Sequence, residues 1–243
     1  IIIRRGERMK QYKYLIFDLD DTLLDFQDNE RNSLKVIFEK YNIPFEEKSI
    51  NEYKAINRSF WSQIEQGTIK KEEALTKRFE EFFALYGYNV QGEVIEKEYQ
   101  NCLNKGHKTI PKAMETLMDL RIRGYKIFAG TNGVGKTQNQ RLKDSKLIDF
   151  FDDVFISEEM GVEKPNSKFF EIIFNKYDFM KKDETLMIGD SLASDIKGAN
   201  NFGIDSMWFN SLNKECGEIK PTYEIRELSE VLEVLNKEAV AAV

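Results

Sequence analysis

Along residues 29–104 apolar side chains recur at steps of three and four: Leu34, Ile37, Phe38 and Tyr41, then Tyr53, Ile56, Phe60 and Ile64, then Leu75, Phe79, Phe82 and Tyr86, and finally Ile95, Tyr99 and Cys102. That spacing keeps each set on one helical face, so the block predicts four amphipathic helices packed as a small bundle. The aromatic stripes read as the core of that bundle rather than as a cofactor site. After Pro111 the pattern changes to helices alternating with short apolar runs. A helix over about 112–123 stops at Gly124, and a strand follows from Tyr125 to Ala129. Next come Val154-Phe155-Ile156, a helix near 167–177, Leu186-Met187-Ile188, a helix over about 192–202, and Ser206-Met207-Trp208. Such alternation predicts an α/β fold, a doubly wound parallel sheet. One further run, Tyr14-Leu15-Ile16, stands ahead of the helical block. The bundle is thus expected as an insertion after the first strand, above the strand ends, where it would serve as a lid.

That first strand leads directly into Phe17-Asp18-Leu19-Asp20-Asp21-Thr22-Leu23. In an open parallel sheet the ligand crevice lies at the carboxyl ends of the strands. Two acids in that crevice repel each other unless a cation sits between them. An EF-hand is excluded, because its sixth and twelfth positions need Gly and Glu, and here they hold Leu23 and Asn29. Taken alone, the segment serves equally well as an acidic turn or helix cap. Three more polar clusters follow expected strands: Thr131-Asn132-Gly133, Lys164-Pro165, and Gly189-Asp190-Ser191 with Asp195 beyond. Singly these read as a tight turn, a solvated loop lysine and a helix cap.

Composition narrows the chemistry. The 243 residues, 41% hydrophobic, suffice for one large or two moderate domains, and no apolar stretch is long enough to span a membrane. Ile1 to Arg8 precede a start at Met9 and are expected to be a non-native extension; Val240-Ala241-Ala242-Val243 is read as native or as a scar. Only Cys102 and Cys216 are present, which argues against a disulfide framework and points to the cytoplasm. The net charge of -6 disfavours nucleic acid as a partner, and no obligate protein partner is indicated. A lone histidine, His107, argues against a Ser-His-Asp triad, a two-histidine phosphatase site and most zinc hydrolase sites, and is expected at the surface. A cysteine-nucleophile phosphatase needs Arg six positions after the Cys, where this chain has Lys108 and Thr222. Carboxylates remain as nucleophile candidates.

In order and spacing, Asp18-Leu19-Asp20-Asp21-Thr22, Thr131, Lys164 and Gly189-Asp190-Ser191-Leu192-Ala193-Ser194-Asp195 resemble the four motifs of the haloacid-dehalogenase (HAD) superfamily of aspartate-nucleophile phosphatases. The resemblance runs from Met9 to the strand near Trp208, and the helical block resembles the C1 cap of subfamily I. It implies a HAD-like Rossmannoid core over residues 9–25 and 107–243, with a helical cap domain over 26–106. In that reading Asp18 is the nucleophile and forms an aspartyl-phosphate, while Asp20 is the acid and base for the leaving oxygen and the water. Mg²⁺ would be held by Asp18, the Asp20 main-chain carbonyl and Asp190, with Asp195 behind them or bound through water. Lys164 and Thr131, together with Asn132, would bind the phosphate and stabilise the charge that builds on it. The links at 25–29 and 104–109, with Gly106 in the second, are the expected hinges.

The stretch Thr131-Asn132-Gly133, Gln138, Arg141-Leu142, Phe150-Phe151-Asp152, Ser157-Glu158 and Gly161-Val162-Glu163-Lys164-Pro165 is similar to the branch containing pyrimidine 5'-nucleotidases of non-canonical nucleotides. That similarity implies a small phosphate ester as substrate, a nucleoside monophosphate such as UMP, dUMP or dTMP; a sugar phosphate is the alternative. Gly135-Lys136-Thr137 departs from the pattern. With Gly130 it completes a Walker A sequence after an expected strand, so a nucleoside triphosphatase with Lys136 on the phosphates is a competing reading. A binding or phospho-accepting module without turnover is the third. For selection of the leaving group, Asp25, Phe26 and Trp61 are candidates that serve equally well as hinge or core residues.

Overall fold

Strands covered on both faces read as nearly continuous apolar runs, and those runs are the strands of this protein. The computed structural model describes residues 11–240, to which every count below refers. The strands are β1 (Tyr14–Phe17), β2 (Lys126–Thr131), β3 (Asp153–Ile156), β4 (Thr185–Gly189), β5 (Asp205–Phe209) and β6 (Tyr223–Ile225). The helices are α1 (Phe26–Lys40), α2 (Glu47–Glu65), α3 (Lys71–Ala84), α4 (Gly92–Leu103), α5 (Ala113–Ile122), α6 (Gly135–Asp144), α7 (Ser157–Met160), α8 (Ser167–Lys176), α9 (Lys197–Phe202) and α10 (Glu230–Val240). The expected extension at residues 1–8 and the last residues of the expected C-terminal stretch, 241–243, lie outside the described residues.

All six strands are parallel, in the order β3-β2-β1-β4-β5-β6. Alternate side chains along each strand serve opposite layers. On one face Leu15, Phe17, Ile127, Ala129, Leu186 and Ile188 pack with Leu117 and Leu120 of α5 and Val231 and Val234 of α10. On the other, Ile16, Phe128 and Met187 pack with Phe169, Phe170 and Ile173 of α8 and Ala199 and Phe202 of α9. The chain passes from β1 outward to β2 and β3, then returns to the other side of β1 as β4. That reversal makes the carboxyl ends of β1 and β4 a topological switch point.

Two differences from the sequence reading have local causes. β6 was not expected, because its three residues, Tyr223-Glu224-Ile225, are too few to show a period. The helix expected over 192–202 opens instead as a π-helical turn, Leu192–Ile196, before α9. There both Asp195 N–H and Ile196 N–H donate to the Ser191 carbonyl, at 3.0 and 3.2 Å. A widened turn of this kind often marks a functional site.

Two compact units share the chain: residues up to Asp25 with those from Lys108 onward, and Phe26–His107. In the first unit the outgoing and returning chain run side by side, with Asp25 N–H donating to the Lys108 carbonyl at 2.9 Å and Leu24 bridging Thr109. The second unit contains α1 to α4 around Leu34, Phe38, Tyr53, Phe79, Phe82, Phe83 and Tyr99. Phe38 and Phe82 stack at 4.8 Å, and Phe82 meets Tyr53 edge-on at 5.6 Å. A polar chain missed by the apolar periodicity crosses the same unit. Arg78, 3% exposed, donates to Asn57 at 2.7 Å and to Glu96 at 2.6 Å, and Asn57 donates to Glu30 at 3.2 Å. His107 is exposed and both cysteines are free. No helix among the described residues is long and apolar enough to cross a membrane.

Phe82→Ala removes a buried ring from the centre of the aromatic cluster. Urea unfolding of this variant is expected to show a loss of about 3–5 kcal/mol, whereas Leu85→Ala, at an exposed position, is expected to stay within about 0.5 kcal/mol of the parent.

Candidate active site

Sheet register decides which polar residues meet. Phe17 lies opposite Ile188 on one side and Ala129 on the other, so Asp18, Gly130 and Gly189 come next in line at one end of the sheet. Asp18 continues the ladder, its N–H donating to the Ile188 carbonyl at 2.8 Å. The Asp190 N–H donates to the Thr22 hydroxyl at 3.0 Å, and Trp208 Nε1 donates to the Asp190 carbonyl at 2.8 Å. These two bonds tie the loop after β4 to the loop after β1 and to β5. Gly189 must be glycine, because a Cβ there would lie 2.2 Å from Asp195 Oδ2.

Lys164 joins three strand ends through one nitrogen. Its Nζ donates to Asp18 Oδ1 at 2.8 Å, to Asp195 Oδ1 at 2.6 Å and to the Gly130 carbonyl at 2.6 Å, and its side chain is 1% exposed. Burial disfavours its charge, but Asp18 and Asp195 outweigh burial and hold the ammonium above its ordinary range. Asn132 fixes the backbone at this point: Nδ2 donates to the Lys164 carbonyl at 2.8 Å, and Oδ1 accepts the Lys164 N–H at 2.9 Å. Asp195 Oδ2 accepts the Ser191 N–H at 3.0 Å.

The carboxylates of Asp18, Asp190 and Asp195 lie within 4.8 Å of one another. Burial pushes the Asp18 carboxyl up to about 8; Lys164 opposes this, while Asp195 and Asp20 add to it. Burial, then Asp195 and Asp18, raise Asp190 well above the usual carboxylate range. Three ionised acids beside one ammonium leave two negative charges in excess. A divalent cation would supply that balance, and an all-oxygen donor set is what Mg²⁺ prefers. The residues therefore fit the metal. The Asp20 carboxylate is not part of this group.

Asp20 has different partners. Arg141 Nη1 donates to its Oδ1, and Gln138 Nε2 donates to its Oδ2 at 2.8 Å. Gln138 Nε2 also donates to the Thr131 hydroxyl at 2.9 Å, and Gln138 Oε1 accepts from Arg141 at 2.9 Å. Asp18, Asp20, Thr131, Asn132, Lys164, Asp190 and Asp195 thus converge at one end of the sheet. Asn132 serves there as a clasp on the Lys164 main chain.

A family model for haloacid dehalogenase-like hydrolases matches residues 15–209. The chain belongs to that family. It is 40% identical over 95% of its length to YfnB of Bacillus subtilis (strain 168), covering 98% of that protein. A crystal structure of YfnB bound to magnesium, which reveals interdomain movement in that protein, superposes with a TM-score of 0.89 over 93% of this chain and 100% of that one. Two other relatives are named pyrimidine 5'-nucleotidases. PynA of Streptococcus pneumoniae (strain ATCC BAA-255 / R6) is 36% identical, with 93% of this chain and 96% of PynA covered. YjjG of Escherichia coli (strain K12) is 31% identical, with 93% of this chain and 99% of YjjG covered.

In this haloacid dehalogenase-like hydrolase, the Walker-like loop Gly130 to Thr137 runs from β2 into α6. The Gly135 N–H donates to Glu158 Oε2 at 2.8 Å, so an acid faces the amide that a nucleotide loop would turn to phosphate. Lys136 is exposed on α6. The sequence reading gave no role to Gln138, Arg141, Thr22 or Trp208. Gln138 and Arg141 had one usable signal, a spacing of three residues on the helix after the Thr131 loop, which puts both on one face. Lys136→Ala is expected to leave phosphate-ester turnover within about twofold of the parent in steady-state assays, as a solvent-facing substitution should.

Proposed function

We propose that this hydrolase is a Mg²⁺-dependent phosphomonoesterase that works through an aspartyl-phosphate on Asp18 and acts on nucleoside monophosphates, pyrimidine nucleotides foremost. The observation that carries the reading is Lys164 Nζ bonded to both Asp18 and Asp195 in a buried site whose carboxylates need a divalent partner. The magnesium-bound YfnB structure and the two relatives named pyrimidine 5'-nucleotidases support the same reading.

Asp18 attacks phosphorus in line; the new Asp18–phosphorus bond forms as the ester bond breaks, and Asp20 gives a proton to the departing oxygen. Water then attacks the same phosphorus, Asp20 takes its proton, and Asp18 is regenerated with release of inorganic phosphate. Lys164 and the Thr131 hydroxyl meet the phosphoryl oxygens and offset the charge that builds there. Asp18, Asp190 and the Asp20 main-chain carbonyl would hold the cation, with Asp195 behind them or reaching it through water. When bound, Mg²⁺ would supply neutralisation of carboxylate and phosphoryl charge together.

A panel of nucleoside monophosphates, sugar phosphates and nucleoside triphosphates, assayed for phosphate release with Mg²⁺, tests the reading. Monophosphates are expected to turn over with pyrimidines preferred, and Asp18→Asn is expected to give no release above background. Turnover confined to sugar phosphates would keep the chemistry and replace the substrate; turnover of triphosphates that survives Asp18→Asn would overturn both.

Metal binding has a readout independent of turnover. At a Mg²⁺ concentration about a hundredfold above Kd, linkage adds about 2.7 kcal/mol to folding stability, so the thermal midpoint is expected to rise. The rise should be absent in Asp190→Asn. An equal rise in that variant would remove Asp190 from the metal site.

A further inference from the structure

Resting on the acid and base role given to Asp20, we propose that Gln138 and Arg141 are positioning residues. Together they hold the Asp20 carboxylate in its working orientation and keep it in register with the phosphate-binding hydroxyl of Thr131.

The geometry behind this assignment lies within one unit. Both oxygens of Asp20 are engaged, Oδ1 by Arg141 Nη1 and Oδ2 by Gln138 Nε2 at 2.8 Å. Each clamping residue is 1% exposed, whereas the Asp20 side chain is 30% exposed. The carboxylate is therefore held from its buried side and open on the other. An ionised carboxylate has about four acceptor positions, so with two donors in place Asp20 still has room to carry the proton it gives to a leaving-group oxygen and to accept the proton of a water. Gln138 also accepts from Arg141 at 2.9 Å. That bond fixes the rotation of the amide, so that Nε2 is the end presented to both Asp20 and the Thr131 hydroxyl, the latter at 2.9 Å. The two residues sit one helical turn apart on α6, a rigid element that begins just after the Thr131 loop. Asp20, by contrast, lies in a tight loop whose next residue, Asp21, has a left-handed backbone with φ 57°. A carboxylate on such a loop needs outside support to hold one direction, and supported groups of this kind make catalytic geometry reproducible.

A burial-driven structural role would lower stability without distinguishing Asp20 chemistry from the rest of turnover. Gln138→Met keeps the side-chain length and removes the donors. If Gln138 acts through Asp20, kcat for a nucleoside monophosphate should fall on the order of a hundredfold, as misplacement of a reacting group does, with KM nearly unchanged. The first turnover of p-nitrophenyl phosphate should be spared, because p-nitrophenolate leaves without a proton. Rapid mixing should then show a burst of p-nitrophenol stoichiometric with enzyme, ahead of slow hydrolysis of the aspartyl-phosphate. In an Asp20→Asn background the same substitution should cost nothing further, the non-additive signature of residues acting as one. Arg141→Lys should recover part of what Arg141→Met loses.

Equal losses for the alkyl and aryl esters with no burst, or losses that add to those of Asp20→Asn, would overturn the clamp. If Asp20→Asn itself turns over normally, the acid and base assignment fails first. If Asp20→Asn is impaired and Gln138→Met is normal, only the clamp fails. Thermal midpoints of all variants report folding separately, and Gln138→Met, which buries no unpaired charge, keeps the test open should Arg141→Met not fold.

Discussion

One buried ammonium organises one end of the sheet. Lys164 Nζ touches a carboxylate after β1, a carbonyl of β2 and a carboxylate in the turn after β4, with its side chain 1% exposed. A charge so deep is tolerable only when paired, and removing one member of a buried pair costs about 3–5 kcal/mol. Those three segments must therefore be in place together. The rest of the local structure serves this requirement. Asn132 fixes the Lys164 backbone from both sides, Gly189 lacks a Cβ so that Asp195 can lie against it, and the π-helical turn lets Asp195 meet Lys164.

The same ammonium accounts for a partial charge balance. It opposes the upward push on Asp18 but does not cancel it, since burial and the neighbouring Asp195 and Asp20 still win. The site without a cation is thus electrostatically frustrated in a specific direction, toward protonation of Asp18 and Asp190. Protonated, Asp18 would be a poor nucleophile. Under the proposed chemistry a divalent ion resolves both problems, because neutralising the excess charge also returns Asp18 to its nucleophilic form. Stability and reactivity then depend on the same binding event.

Much of this was readable from the chain for identifiable reasons. The strands were legible because burial on both faces leaves uninterrupted runs such as Leu186-Met187-Ile188, and the helical unit because four apolar stripes keep one period. Polar groups at strand ends were legible because a parallel sheet directs its strand ends to one place. What escaped was either short or polar. β6 has three residues with a glutamate at its centre. The Arg78, Asn57 and Glu30 network is invisible to a method that scores apolar period, since its members lie among the polar positions of three different helices. Gln138 and Arg141 escaped similarly: amide and guanidinium side chains on a helix are usually solvated, and only the fold shows them 1% exposed.

Helix α6 shows how a motif and its use can separate. Its first residues complete a nucleotide-loop sequence, and a helix N-terminus is a ready place for an anion. Here the Gly135 amide already serves Glu158, at 2.8 Å, and Lys136 points to solvent. An acid occupying that position also satisfies the helix dipole. Under the proposed reading the phosphoryl group of a substrate is gripped by Lys164 and Thr131 instead. The buried polar contacts of α6 lie one turn further on, where Gln138 and Arg141 reach Asp20. A Cβ at Gly135 would come within 2.9 Å of Glu159 Oε1 and 3.2 Å of Glu158 Oε2, the ends of two exposed, flexible side chains that can shift, so packing against α7 asks little of the residue that completes the nucleotide-loop pattern.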